Sequence, residues 1–354
     1  MTDRVLSTRA LNRALLARQS LLERSDAPLT TLLEQVAGLQ TQYAPSAYIG
    51  LWSRLRGFRR PSLTRALEDR QVVQATLMRS TIHVVSARDY HPFAAAVRRT
   101  RLEWWRKTAG RRGLDHVALD GVAACLRSLL AHGPHRRAEL VAGLEDAGFD
   151  KAVWSAADLL VDMVRVPPSG TWERRRADLY GLADDWLEPA TVTEADGLRH
   201  VVTRYLRGFG PAALADIASW TGVNMTTLRP VVNDMKPRRF RDEEGRALLD
   251  VPDGPLPDPD TPAPVRFLPT WDANLLVHAR RTQILPEQYR SLVFNVKNPH
   301  STPTFLVDGS VAGAWRHEDN RINLTPYGSI NANDLDALER EAADLAAFHA
   351  DRER

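Results

Sequence analysis

Apolar positions recur at helical spacing along most of this 354-residue chain, and the breaks fall on glycine and proline. Val5, Leu6, Leu11, Leu15, Leu16, Leu21 and Leu22 mark a helix within residues 3–25. Pro28 interrupts the pattern, and a second helix is expected over 29–37, where Gly38 ends it. Further helices are expected over 47–55 and 63–69. The stretch "VVQATLMRSTIHVV", residues 72–85, then turns to strand content. Three helices followed by a strand pair is the element order of a winged helix.

The order returns twice. Helices over 122–131, 138–147 and 152–163 precede strand content in "VRVPP" and "ADLYGLA", with a turn around Gly170 between them. Helices over 198–206, 214–220 and 225–235 precede "RRFRDEEGRALLDV", which reads as wing strands around Gly245. Gly133-Pro134 and Gly210-Pro211 stand 77 residues apart at the same place in the two units, a weak internal repeat. Residues 252–264 are dense in Pro and Asp and read as a linker. Beyond it come short β-type segments, "VRFLP", "SLVFNV", "TPTFLV" and "GSVAGAWR", with turns at Asn298-Pro299 and Asp308-Gly309. An amphipathic helix over 333–349 closes the chain. The expected fold is mainly α with α+β winged-helix modules. Three modules span 1–115, 116–190 and 191–252, and a small β-rich domain with a C-terminal helix spans 263–354.

Composition narrows the class. An apolar fraction of 44% with 26% charged residues is ordinary for a folded protein with a core. No apolar run is long enough to span a bilayer and no hydrophobic signal segment opens the chain, so a cytoplasmic protein is expected. Cys125 is the single cysteine, which excludes an internal disulfide and a cysteine-based zinc cluster. The ten histidines are scattered without metal spacing. Phosphate-loop, dinucleotide and nucleophile-elbow motifs are lacking, so no metal or cofactor is expected. Charge is unevenly spread: residues 1–120 hold 20 Lys/Arg against 10 Asp/Glu, and the remainder 27 against 34. A basic first third suits a nucleic-acid surface through counterion release, with solvated helix faces as the alternative. Arg174, Arg175, Arg176, Arg238, Arg239 and Arg241 fall on the expected wings, where phosphate contacts or plain exposed turn residues would lie.

The unusual local feature is Gly38-Leu39-Gln40-Thr41-Gln42-Tyr43-Ala44-Pro45. Pro45 biases Ala44 away from helix, so the segment is expected to be extended. In an extended segment, side chains two apart project to one side. Gln40 and Gln42 could then converge on one target, such as a water or a base edge, each offering an acceptor oxygen and an NH2 donor. Two solvent-facing loop glutamines are the bland alternative. A second cluster runs over 78–83, where Arg79 and His83 could contact phosphate. A third is Trp271-Asp272, with Asp272 a buried base or a helix cap.

Five segments in order, "VAGLQTQYAPSAYIGLWSRL", "LMRSTIHVVSARDY", "YLRGFGPAALADIASWTGV", "FLPTWDANLLVHARR" and "TFLVDGSVAGAWR", resemble the AlkZ-like DNA glycosylases. The likeness covers about residues 9–345. It implies tandem winged helices and a small β domain around a curved channel for duplex DNA. The family's catalytic signature is glutamine, one residue, glutamine, which falls on Gln40 and Gln42. The middle position is usually apolar and is Thr41 here. A related branch has aspartate at the second glutamine, so Gln42 points to the azinomycin-resistance type. DNA contacts are expected from Tyr43, from the basic corner of Arg56, Arg59 and Arg60, and from Arg79, Thr81 and His83. More are implied from a hairpin over 297–302 carrying Lys297, Asn298, His300 and Ser301, with a plain surface turn as the alternative there. Trp271 and Asp272 are possible accessories.

The expected partner is double-stranded DNA carrying alkylpurine adducts, bound by a monomer. A glutamine amide does not titrate near neutral pH and is no general base. A purine alkylated at N7 or N3 is already cationic and leaves as a neutral base, so a strong acid is not needed. Two amides could orient the water and face the positive sugar. No lysine or amine nucleophile is implicated, which implies a monofunctional enzyme. The rival readings are a non-enzymatic winged-helix transcription regulator, with 225–235 as recognition helix, and an inactive paralogue marked by Thr41.

Overall fold

In the computed structural model, residues 3–114, 116–276, 282–294 and 301–351 are described. One order of elements recurs three times: helix, short strand, helix, helix, then two wing strands. In the first unit these are Leu29–Gln35, Leu39–Gln40, Pro45–Arg54, Arg60–Glu68, Val72–Thr76 and Ile82–Ser86. In the second they are Leu119–Leu130, His135–Arg136, Arg137–Asp146, helical turns over 151–160, Met163–Arg165 and Leu179–Leu182. The third has Glu194–Phe209, a single bridge from Ala212 to Leu249, Leu214–Thr221, Met225–Asp234, Arg238–Asp242 and Ala247–Asp250. Gly38, Gly133-Pro134 and Gly210-Pro211 thus occupy one equivalent place, just before the short strand. The glutamine segment is that strand and the turn after it in the first unit.

The first two wings merge into one sheet. Gln74 on Val72–Thr76 pairs with Arg165 on Met163–Arg165, giving an antiparallel six-stranded sheet across both units. The Gln74 amide also donates to the Gly170 carbonyl at 2.6 Å. The third wing takes a strand from the start of the chain: Arg4–Leu6 runs parallel to Arg238–Asp242, with Arg4 opposite Phe240. Residues 4–6 therefore lie with the third sheet, outside the first unit. The expected helix over 3–25 is accordingly shorter, Thr8–Arg18, capped by the Ser7 hydroxyl on the Ala10 N–H at 3.1 Å.

The apolar pattern assigns no element to 87–109, which form the longest helix, Ala87–Ala109. Ser86 caps it by accepting from Asp89 N–H at 3.2 Å. Its first half buries Tyr90, Phe93, Ala96 and Val97 in the core shared by the first and third units. Its second half carries Trp105 and Ala109 into the core of the second unit. The helix Glu194–Phe209 crosses it at Gly197, where an added Cβ would lie 2.7 Å from the Pro92 carbonyl oxygen and 2.8 Å from the Ala96 nitrogen. Both obstacles are backbone. Gly197→Ala is expected to cost about 1–3 kcal/mol by overpacking, read as a lower urea midpoint with unchanged slope.

The C-terminal part is an antiparallel sheet of Arg266–Leu268, Thr304–Val307, Ser310–Glu318 and Arg321–Pro326. Asp308-Gly309 makes the expected tight turn. The helix Ala332–Ala350 buries Leu338, Ala342, Leu345 and Phe348 against Trp52, Phe58 and Trp172 of the winged-helix part. Of the segment "SLVFNV", expected as β, Ser291–Val293 lie in a helical turn, Arg290–Val293, Phe294 makes a single antiparallel bridge to Ser301, and residues 295 and 296 lie outside the described residues. The Pro- and Asp-dense stretch has no regular structure, as its composition implies. It is nonetheless pinned, because Arg13 donates to the Thr261 carbonyl and Arg18 to the Pro255 carbonyl. Among the described residues, no helix is long and apolar enough to cross a membrane.

Candidate active site

Gly38 fixes where the glutamine segment begins. Its φ of +77° suits glycine, and a Cβ there would sit 2.7 Å from Val85 Cγ1 and 3.0 Å from the Val84 carbonyl oxygen. With that close approach, Leu39 and Gln40 pair with Val84 and His83 as an edge strand, and Thr41 N–H donates to the Ile82 carbonyl at 2.8 Å. Gln40 is buried while Gln42 and Tyr43 are exposed. Thr41 is buried, and its hydroxyl donates to the Ala44 carbonyl at 3.3 Å. The Thr41 hydroxyl is thereby satisfied within the loop.

Both glutamine side chains reach the same neighbour, the turn over 78–82. Gln40 Oε1 accepts from Arg79 Nη2 at 2.7 Å, and Gln42 Oε1 accepts from the Ile82 N–H at 3.1 Å. An amide oxygen has two lone pairs, so among the described residues each carboxamide keeps one, together with its NH2 group. Arg79 and Ser80 hold left-handed φ values of 53° and 58°. Backbone strain of this kind gathers where a side chain must be aimed. The turn is tied down by Thr81 Oγ1 on the Met78 carbonyl at 3.0 Å and by Arg101, which donates to Ser80 Oγ at 3.1 Å and to the Thr76 carbonyl at 2.9 Å.

The remaining candidates divide by burial. His83 lies inside, with Nδ1 on the Thr81 carbonyl at 3.0 Å; burial and the Arg79 and Arg101 charges push it down to about 3. It would meet a phosphate neither exposed nor charged. Arg60 is also buried, stacked 4.8 Å over the Trp172 ring, so it packs the core rather than facing outward. Arg56 is exposed but pairs with Asp26 and Glu23, and exposed Arg59 lies 3.5 Å from Asp351. Tyr43 meets the second wing: Arg175 donates to its hydroxyl at 2.7 Å. The wing arginines Arg174, Arg175 and Arg176 are exposed and, with Arg136, line a cavity of about 250 Å³. That brings the basic second wing beside the glutamine segment.

Asp272 is not a free base. Both its oxygens accept from Arg54 Nη2, at 3.2 and 2.9 Å, and Oδ1 also accepts from Asn274 N–H and Nδ2 at 3.0 and 2.9 Å. It caps the helical turn Ala273–Leu276 and closes a buried ion pair. Ser301 is buried too, and its hydroxyl accepts from the Trp271 N–H at 2.6 Å, which makes it a strut for that neighbour. Lys297, Asn298 and His300 lie outside the described residues. Two participants left no sequence signal. The Trp220 carbonyl takes Arg79 Nη1 at 2.6 Å, and any residue there would offer one; Arg101 is one arginine among many until the fold brings it to Ser80.

A family model described as DNA glycosylase AlkZ-like matches residues 33–348. A curated relative, an interstrand DNA cross-link repair glycosylase of Streptomyces sahachiroi, is 23% identical over 350 residues, 93% of either chain. Among solved structures, the Streptomyces sahachiroi DNA glycosylase AlkZ superposes with a TM-score of 0.82 at 20% identity, covering 98% of this chain and 97% of that one.

Proposed function

The chain belongs to the AlkZ-like DNA glycosylase family, and from that premise we propose that it hydrolyses the glycosidic bond of cationic N7- or N3-alkylated purines in duplex DNA. The observation that carries this is the convergence of Gln40 and Gln42 on one turn, with each oxygen anchored at a single lone pair. A water held between the two carboxamides would be oriented at the sugar. The amide dipoles would face the positive charge that develops there. Leaving as a neutral base, a cationic purine needs no acid, and neither glutamine can supply one.

Exposure of Gln42 and Tyr43 supports a bulky adduct held in the groove rather than swallowed in a closed pocket, and so a role in resistance to a large genotoxin. Arg175, which reaches Tyr43, and its exposed neighbours Arg174 and Arg176 would take phosphates flanking the lesion. Family membership speaks against the regulator reading.

The test is single-turnover base release from matched duplexes carrying N7-methylguanine or uracil. Release of methylguanine is expected, with uracil slower by about 10²-fold or more, the usual worth of the missing general acid. Borohydride is expected to trap no protein–DNA adduct. Cleavage of uracil at a comparable rate would sink the mechanism.

A further inference from the structure

A guanidinium stands directly behind Gln40 and joins it to a different unit of the fold. Arg79 donates from Nη2 to Gln40 Oε1 at 2.7 Å and from Nη1 to the Trp220 carbonyl at 2.6 Å. Trp220 is buried at the end of Leu214–Thr221 in the third unit, its ring packed among Phe93, Tyr205 and Phe209. The far anchor is therefore part of a rigid core. The near anchor is the left-handed pair Arg79-Ser80, braced from below by Arg101.

An arginine only donates. It can face the oxygen end of a carboxamide and not the NH2 end. With Arg79 in place, the direction of the Gln40 amide is decided before DNA arrives, so no reorientation is needed during reaction. A charged donor in a partly dry setting also polarises that amide more than water would.

We propose that Arg79 is a positioning residue for base release, acting through Gln40 and holding it in register with the third unit. The proposal rests on the glycosylase reading above and deepens it. It replaces the expectation that Arg79 serves as a phosphate contact, since both of its terminal nitrogens already have acceptors within the protein. Docking of the third unit and readiness of the glutamine then become a single event.

The experiment is a double-mutant cycle on single-turnover release of N7-methylguanine, with R79A, R79K, Q40A and R79A/Q40A. Affinity for undamaged duplex across a salt series and Tm are measured for each. R79A is expected to slow release by about 10–100-fold, the worth of one charge-assisted hydrogen bond, with affinity and salt slope unchanged. R79K should recover part of the loss. The double variant should be no slower than Q40A alone. Multiplying losses in the double variant would overturn the proposal. So would a salt slope reduced by about one, the mark of a phosphate contact. Should R79A fail to fold, R79K/Q40A closes the same cycle. An inactive wild type would sink the glycosylase reading itself, whereas an active wild type with independent losses would sink the positioning role alone.

Discussion

Alanine at Gln40 or Gln42 is expected to lower single-turnover release of N7-methylguanine by about 10²–10³-fold, the loss typical of one preorganised electrostatic contact. Binding to undamaged duplex should survive, because neither amide is charged. Gln42→Ala is the cleaner variant: the side chain is exposed and its removal uncovers only the Ile82 N–H, which water can serve. Gln40→Ala also strips Arg79 of an acceptor, so its Tm must be measured beside its rate. The wild-type rate should be flat from about pH 5 to 8, since the amides do not titrate and His83, lowered to about 3, stays neutral throughout. A rate that needs a base with a midpoint inside that window would point to a different catalytic group. Full activity in both alanine variants would remove the pair from the site altogether.

The second large effect is on stability. Asp272→Ala is expected to destabilise the fold by about 3–5 kcal/mol, because it leaves the Arg54 charge buried without its partner. Gln19 shares that guanidinium at 3.4 Å but cannot neutralise it. Asp272→Asn, which keeps an acceptor for Arg54 while losing the charge, should fall between. Release per folded molecule should stay near wild type in Asp272→Asn at low temperature. Loss of release with Tm unchanged would make Asp272 part of the chemistry after all.

How far the fold could be read from the sequence depended on where each signal lived. The repeated helix–helix–helix–wing order came through because glycine and proline punctuate it locally, as at Gly38 and Gly210-Pro211. Ala87–Ala109 did not, since its two halves serve different cores and its burial changes face part-way, from Phe93 and Val97 to Trp105 and Ala109. Arg4–Leu6 was absorbed into a helix because its partner strand is more than 230 residues away and leaves no local trace. At the site, both glutamine side chains do reach one turn, but not along the extended run expected from Pro45: only Leu39 and Gln40 are strand, Gln42 lies in the bend that follows, and Ala44 is helical with φ −48° and ψ −45° as it leads into the next helix. What spacing could not show was which arginines are engaged within the protein, Arg60 buried and Arg79 half-buried. Arg60 and Arg79 look like any basic surface residue in the sequence, yet one is stacked on Trp172 and the other is locked between Gln40 and Trp220.

The parallel pairing of Arg4–Leu6 with Arg238–Asp242 also sets an order of events at the ribosome. At about 5–20 residues per second, the first strand emerges roughly 10–50 s before the strand it will join. The same wait applies to Arg18, whose buried carboxylate partner is Asp250. During that interval the helix Thr8–Arg18 has neither its sheet neighbour nor its counter-charge. The short order-forming contacts of the first two units, joined through Gln74 and Arg165, are made by residues that emerge earlier. Nascent chains halted near residue 230, with Leu179–Leu182 clear of the exit tunnel and Arg238–Asp242 not yet made, should therefore hold the six-stranded sheet while their first twenty residues remain open to protease.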